Sequence, residues 1–374
     1  MASRCRILYS KMTFTSDKLT YKAYTYQTKN DPIHITEQSI HLEKQADGSY
    51  NVPANNILIK VHAAALNPVD IVLRQSAGYL LSFFNSHQGI GRDYSGVVEA
   101  IGNDVKTTLK LGDKVQGMYT HPFGKGTCSQ YVLLNTKSRT DDEVGLIPKN
   151  LSLTEAAGWP LVFGTATLML DGLDLKDKRV LVLGGATSVG RYVISLSKKA
   201  QARDVVATCS EKSASIVTEL GANSTIDYTK QTSILNPVLE TVKEAKYDFV
   251  FDCCGNNDLF GHTSTVLNPH AHYRTIVGDA KYKYTSVSMG GLILPMAKSM
   301  WRVLSSKLGL IHFNYEFIGT APRNKWIETG KKLIEDGDVK VFTDSVFKFS
   351  DIDAALERLL TNKANGKVII EVEQ

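Results

Sequence analysis

Two textures of apolar spacing divide the chain. From Asn56 to Ala65 apolar and polar residues alternate, the period-two pattern of half-buried antiparallel strands. Turn signals at Asn67-Pro68, Gly102-Asn103-Asp104 and Leu111-Gly112-Asp113 punctuate this region, and Gly96–Gly102 and Asp113–Gly117 predict the short strands of a small barrel. From about Thr154 the spacing becomes strand and helix in alternation. Val180–Leu183 is an unbroken apolar run, as in a strand buried on both faces, and Arg191–Lys199 has helical spacing. Val205–Thr208 and Tyr247–Cys254 predict further buried strands, and a helix with a glycine stop at Leu220-Gly221 leads to a β-like Ser224–Tyr228. The tail returns to β-like spacing at Val341–Phe349 and Gly366–Val372, around a helix from about Ile352 to Asn362.

The candidate chemistry sits where the first buried strand meets its helix. Gly185-Ala-Thr-Ser-Val-Gly190 places backbone N–H groups and the positive end of a helix dipole where a pyrophosphate can sit. It departs from G-x-G-x-x-G in its middle residue, Thr187. That side chain either crowds a diphosphate or donates its hydroxyl proton to one; a tight turn with no ligand is the plain alternative. At the end of the next strand, where an acid would accept the ribose 2′-OH of NADH, stand Ser210, Glu211 and Lys212. A hydroxyl and an ammonium favour a 2′-phosphate, hence NADPH, unless a rotated loop presents Glu211 instead.

Composition narrows the class. At 374 residues the chain has room for two domains, and its net charge of +5 is too mild over that length to argue for a nucleic-acid partner. Cys5, Cys128, Cys209, Cys253 and Cys254 show no C-x-x-C spacing, so neither a zinc knuckle nor a disulfide framework is indicated, and a reducing intracellular compartment is the default. Between Asp279 and Glu316 there is no acid. Within that stretch Gly291–Ile311 reads as a helix with an apolar face (Leu294, Met296, Trp301, Leu304) beside a basic one (Lys298, Arg302, Lys307). It is too interrupted to span a membrane and suits either a lipid-coated surface or an ordinary cleft and subunit interface. Met1 to about Thr20 carries Arg4, Arg6 and Lys11 and no acid before Asp17, a faint transit-peptide composition; without an apolar h-region, secretion is not expected.

Five segments, in order, carry a family resemblance: Ala64-Ala-Leu-Asn-Pro-Val-Asp70, Gly91-Arg-Asp-Tyr-Ser-Gly-Val-Val98, Leu111-Gly-Asp-Lys-Val115, the glycine turn, and Tyr247-Asp-Phe-Val-Phe-Asp-Cys-Cys-Gly255. From Tyr21 to Glu373 the chain resembles a medium-chain dehydrogenase/reductase of the zinc-independent quinone-oxidoreductase type, and is most similar to its fungal Yim-type members, which are associated with lipid droplets and mitochondria. The resemblance implies an α/β protein. A GroES-like, partly open β-barrel substrate domain over 1–155, completed by 325–374, would meet a Rossmann doubly wound parallel-sheet domain over 156–324 at a cleft. A homodimer is a further option.

Several roles follow from the resemblance. Zinc-dependent relatives carry Gly-His-Glu where this chain has Gly91-Arg92-Asp93, and a guanidinium does not ligate zinc, so no metal is expected; His62, His87 and His121 stand singly. The implied chemistry is NADPH-dependent hydride transfer to a small electrophilic substrate, a quinone or an activated alkene or carbonyl. Asn67 would be the donor near the substrate carbonyl and Tyr79 the proton donor, one residue further along than in enoyl-thioester reductases; Val72 stands where quinone reductases carry a cleft tyrosine. Gly185, Thr187, Ser188, Val189 and Gly190 would surround the pyrophosphate, Ser210 and Lys212 the 2′-phosphate, and Tyr228 the adenosine phosphate. The alternative is a reductase-like protein without robust catalysis, acting as a lipid-droplet or interaction component. The protein is accordingly expected on lipid droplets, at mitochondria or in the cytosol.

Overall fold

The computed structural model describes residues 18–28, 30–44, 50–77, 87–119, 121, 124–137, 143–279, 289–319 and 326–372. Tyr79 and the first 17 residues, with their transit-like composition, lie outside them. The period-two region forms a largely antiparallel sheet in the order Glu143–Leu146, Lys114–Met118, Asp93–Ile101, Asn56–Leu66, Lys367–Glu371, Thr343–Lys348, with Tyr131–Asn135 also paired to Asn56–Leu66. Lys18–Tyr26 lies between His34–His41 and Gln88–Gly89 in a second sheet, which joins the first where Tyr24 N–H donates to Cys128 O at 2.9 Å.

The tail completes this unit. Ala64 and Ala65 lie opposite Ile370 and Ile369 in antiparallel register, so the last strand is laid directly on the longest early one. Small side chains make room for that contact: Ala63, Ala65, Ala157 and Ile369 form one fully buried cluster.

The middle of the chain builds six parallel strands in the order Ser224–Asp227, Asp204–Cys209, Arg179–Leu183, Tyr247–Asp252, Leu267–Thr275, Asn314–Phe317. All five positions of Arg179–Leu183 are buried, as its unbroken apolar run predicts. The strand order reverses between Arg179–Leu183 and Tyr247–Asp252, and such a switch point opens a crevice beyond the carboxyl ends of the strands. Helix Pro160–Leu170 bridges the two sheets, with Trp159 at its start packed edge-on against Phe163 and Trp326.

Two elements differ from their predicted bounds. The strand expected to reach Cys254 stops at Asp252, because the Asp252 carboxylate draws the N–H groups of Cys254, Gly255 and Asn256 onto itself at 3.1, 2.8 and 3.1 Å and bends the chain. The helix expected from Arg191 begins at Ser188, because the Thr187 hydroxyl accepts from Gly190 N–H and caps it.

A polar relay fastens the tail to this helix. Arg191 stacks over Phe342, donates to Asn365 O at 3.2 Å and also to Asn365 Oδ1. Asn365 N–H in turn donates to Asp344 Oδ1 at 2.7 Å, and Arg358 grips the same carboxylate with two nitrogens. The Arg358 hydrogen bonds hold the Asp344 carboxyl down at about 2. A depressed carboxylate stabilises above its unfolded value and loses that contribution as pH falls through its folded one. Asp344→Asn should therefore cost about 1 kcal/mol at pH 7, discounted because Arg358 is partly exposed, and this deficit should shrink between pH 4 and pH 2 in urea titrations. A deficit independent of pH would place the effect elsewhere.

Candidate functional site: the glycine turn and the buried Asp93 hub

The turn between Leu183 and Ser188 lies at the switch point, and its glycines answer first to packing. A Cβ on Gly185 would sit 2.8 Å from Ala207 Cβ, and one on Gly190 would sit 2.2 Å from Gly184 O. Gly184 has φ +80°. These residues let the strand, the turn and the helix approach one another closely.

The Thr187 hydroxyl is engaged within the turn itself. It donates to Gly184 O at 2.8 Å and accepts from Gly190 N–H at 3.0 Å, so its one proton is already committed within the turn. Gly185 N–H is likewise committed, to Thr208 O at 2.8 Å. The N–H groups of Ala186, Ser188 and Val189 find no acceptor among the described residues, and the last two belong to the first turn of a twelve-residue helix. No acid occupies that first turn, and Lys198 and Lys199 stand in the last. The donor set fits a dinucleotide pyrophosphate, since open N–H groups and the dipole's positive end lie together at the switch point.

The residues expected around the adenosine end are brought together by strand register. Cys209 pairs with Asp227, so Ser210–Ser213 and Tyr228–Lys230 form adjoining rims just beyond two neighbouring strands. Ser210 Oγ and Ser213 Oγ are 3.2 Å apart, Lys212 is exposed, and Tyr228 is half exposed.

At the other side of the crevice lies a buried ionic hub that the sequence reading passes over. Asp93, fully buried, accepts from Leu161 N–H at 2.6 Å, Asn67 Nδ2 at 2.9 Å and Lys367 Nζ at 2.8 Å. It thereby caps the bridging helix and joins the ends of three segments. Asp70 forms a second layer, accepting from Asn67 N–H at 2.8 Å and Gly91 N–H at 3.2 Å, with Arg92 Nε 3.9 Å away. Burial pushes the Asp70 carboxyl up, against the pull of Arg92.

Asn67 belongs to this hub. Its amide protons go to Asp93 and to Ala65 O, and its Oδ1 accepts from Lys367, so the donation to a substrate carbonyl expected of it is replaced by internal bonds. The signal that marks Lys367 is a lysine opening an otherwise apolar strand, visible in Lys367-Val-Ile-Ile370. Together with Ser188, Arg191, Tyr192, Val162, Gly158 and Phe342, Lys367 lines a crevice of about 10 Å³ between the two units, room for roughly one water. A separate cavity of about 330 Å³, lined by Asp174, Lys178, His270 and His272, opens at the amino ends of the parallel strands, away from the turn. Among the described residues no three His, Cys, Asp or Glu side chains are grouped to hold a metal ion; His87 meets Gln27 and His121 lies against Tyr119.

Helix Met289–Lys307 covers the predicted segment and leaves its apolar stripe exposed. Of the three basic residues, Arg302 turns inward to pair with Asp279 and stacks 3.6 Å from the Phe260 ring centroid, while Lys298 and Lys307 stay exposed. Ser299 and Ser305 are buried, whereas Leu294, Met296, Met300, Trp301 and Leu304 are exposed. No helix among the described residues is long and apolar enough to cross a membrane.

Comparison with known proteins agrees with this architecture. The alcohol dehydrogenase GroES-like domain family matches residues 53–150, and the zinc-binding dehydrogenase family matches residues 220–370. Protein YIM1 of Vanderwaltozyma polyspora is 32% identical over 95% of this chain and 100% of its own length, and Protein YIM1 of Saccharomyces cerevisiae is 32% identical over 95% and 99%. The chain belongs to the Yim1 family, and both matching family models are those of medium-chain dehydrogenases. The quinone oxidoreductase of Coxiella burnetii shares its fold at TM-score 0.75 and 22% identity, covering 95% of this chain and 100% of that one. The CurK enoyl reductase does so at TM-score 0.68 and 19% identity, covering 96% and 100%. Both matched family models describe dehydrogenase domains, and that family implies a nicotinamide cofactor.

The hub yields a direct test. Lys367→Met leaves a buried carboxylate without its cation and should cost about 3–5 kcal/mol, measured by urea denaturation. Adding Asp93→Asn should restore part of that loss. A single-variant cost under about 1 kcal/mol would mean that the pair does not organise the interface.

Proposed function

We propose that the protein is an NADPH-dependent, zinc-independent reductase of quinones or of activated alkenes and carbonyls. The observation that carries the reading is the pairing of two open N–H groups at Ser188 and Val189 with a 2′-phosphate-compatible rim at Ser210, Ser213 and Lys212. When bound, the nicotinamide supplies a hydride to an electrophilic carbon. The chain's part is to hold the diphosphate on the turn helix, to receive the 2′-phosphate at the rim, and to set the two units at a fixed spacing through Asp93, Lys367 and Asn67. Asn67 is then a positioning residue, and Val72 supplies no proton-donating group from helix Pro68–Ala77. Zinc independence is supported by the chemistry of Arg92 and by Asp93, whose two oxygens are taken by Leu161, Asn67 and Lys367.

NADPH titration followed by intrinsic tryptophan fluorescence tests the reading. Saturable binding is expected with a dissociation constant on the order of 1 μM to 1 mM, followed by NADPH consumption with a quinone or alkenal panel. Absence of binding at millimolar NADPH would overturn it in favour of a protein without robust catalysis.

A second reading concerns location and is favoured by the exposed apolar stripe of helix Met289–Lys307. Leu294, Met296, Met300, Trp301 and Leu304 are exposed together with Lys298 and Lys307, in a stretch with no acid between Asp279 and Glu316, a surface suited to lipid droplets or to another anionic lipid layer. Met296→Glu with Trp301→Glu should abolish co-flotation with lipid droplets and leave the thermal transition unchanged. Undiminished flotation would contradict the lipid reading.

A further inference from the structure

The rim that would meet the adenosine end carries two acids as well as two lysines, and they are not equivalent. Asp227 is tied to its own turn, accepting from Thr229 N–H at 2.9 Å and Thr229 Oγ1 at 2.6 Å through the same oxygen. Glu211 is not tied in this way. It follows Ser210 directly, sits on the rim beside Lys212, and is about 72% exposed. Of the two acids it is the one free to swing toward a ribose 2′-hydroxyl, where it would accept the hydrogen bonds that favour NADH and repel the 2′-phosphate of NADPH.

Lys230 intercepts it. Its ammonium lies 3.0 Å from Glu211 Oε2 and 3.7 Å from Asp227 Oδ2, reaching across from the neighbouring rim. Register makes the contact available: Cys209 and Asp227 are opposite one another, so the residues just beyond each strand are neighbours although Glu211 and Lys230 are nineteen positions apart. Lys212 has no ion-pair partner among the described residues and stays available to a phosphate.

We propose that Lys230 is a specificity-determining residue that acts through Glu211, drawing this carboxylate away from the ribose so that Ser210 and Lys212 face the 2′-phosphate. The inference rests on the NADPH reading above and adds the element that keeps an acid-bearing rim selective for the phosphorylated cofactor. Because both side chains are largely exposed, their exchange for neutral residues alters the local field without disturbing the core.

Binding of NADPH and NADH to the full chain, measured by isothermal titration calorimetry at low salt, tests it without recourse to turnover. Lys230→Ala should lower the NADPH-over-NADH affinity ratio about five-fold, and Glu211→Gln should raise it by a similar factor. In the Glu211→Gln background Lys230→Ala should have little effect, and both shifts should fade at high ionic strength. A Lys230→Ala loss that persists undiminished beside Glu211→Gln would show direct contact with the phosphate and overturn the proposal. An unchanged ratio in both single variants would overturn it as well. If the wild-type chain binds neither dinucleotide, the cofactor reading itself fails and takes the specificity device with it.

Discussion

The ion pair between Asp93 and Lys367 is the contact on which the geometry of the crevice depends. Both partners are almost wholly buried, and the pair persists because both oxygens of the carboxylate are engaged, by three hydrogen bonds in all. Leu161 N–H, Asn67 and Lys367 come from the bridging helix, from the end of an early strand and from the start of the last strand. One carboxylate therefore fixes the start of the helix that links the two sheets and the point where the tail re-enters the first unit. A buried pair of this kind adds little net stability against a hydrophobic replacement, but it tolerates few arrangements, which is what a cleft of defined width requires.

From that hub the polar relay runs outward to the glycine turn. Lys367 borders Ser188 and Arg191 in the crevice, Arg191 grips Asn365, and Asn365 is held by Asp344 and Arg358. The turn helix is thus attached to the tail by the Arg191 side chain in its first turn, next to its open N–H groups. Anything that pulls on the turn is felt by the tail strand, and a ligand held at Ser188 and Val189 sits on the seam between the units.

Much of this was legible in the residues, and what escaped did so for physical reasons. The unbroken Val180–Leu183 run and the alternation in Asn56–Ala65 report burial on two faces and on one, and both strands are found there. The N-cap role of Thr187 is hidden because a threonine in a glycine motif suggests contact with a ligand, whereas its spacing to Gly190 is that of an N-cap. Asn67 was read as a donor because its partners, Asp93 and Lys367, are 26 and 300 positions away. Helix Met289–Lys307 had the right period, but period alone does not say which stripe faces the protein; Asp279 and Phe260 decide it by capturing Arg302.

Dinucleotide binding depends on the turn at Ser188 and Val189 serving as an anion seat. Residue-resolved amide hydrogen exchange, with and without saturating NADPH, measures that seat directly. Strong slowing is predicted at the amides of Ser188 and Val189, while Gly185 and Gly190, already bonded to Thr208 and Thr187, change little. Exchange at Ser188 and Val189 that is the same with NADPH as without it would contradict the account.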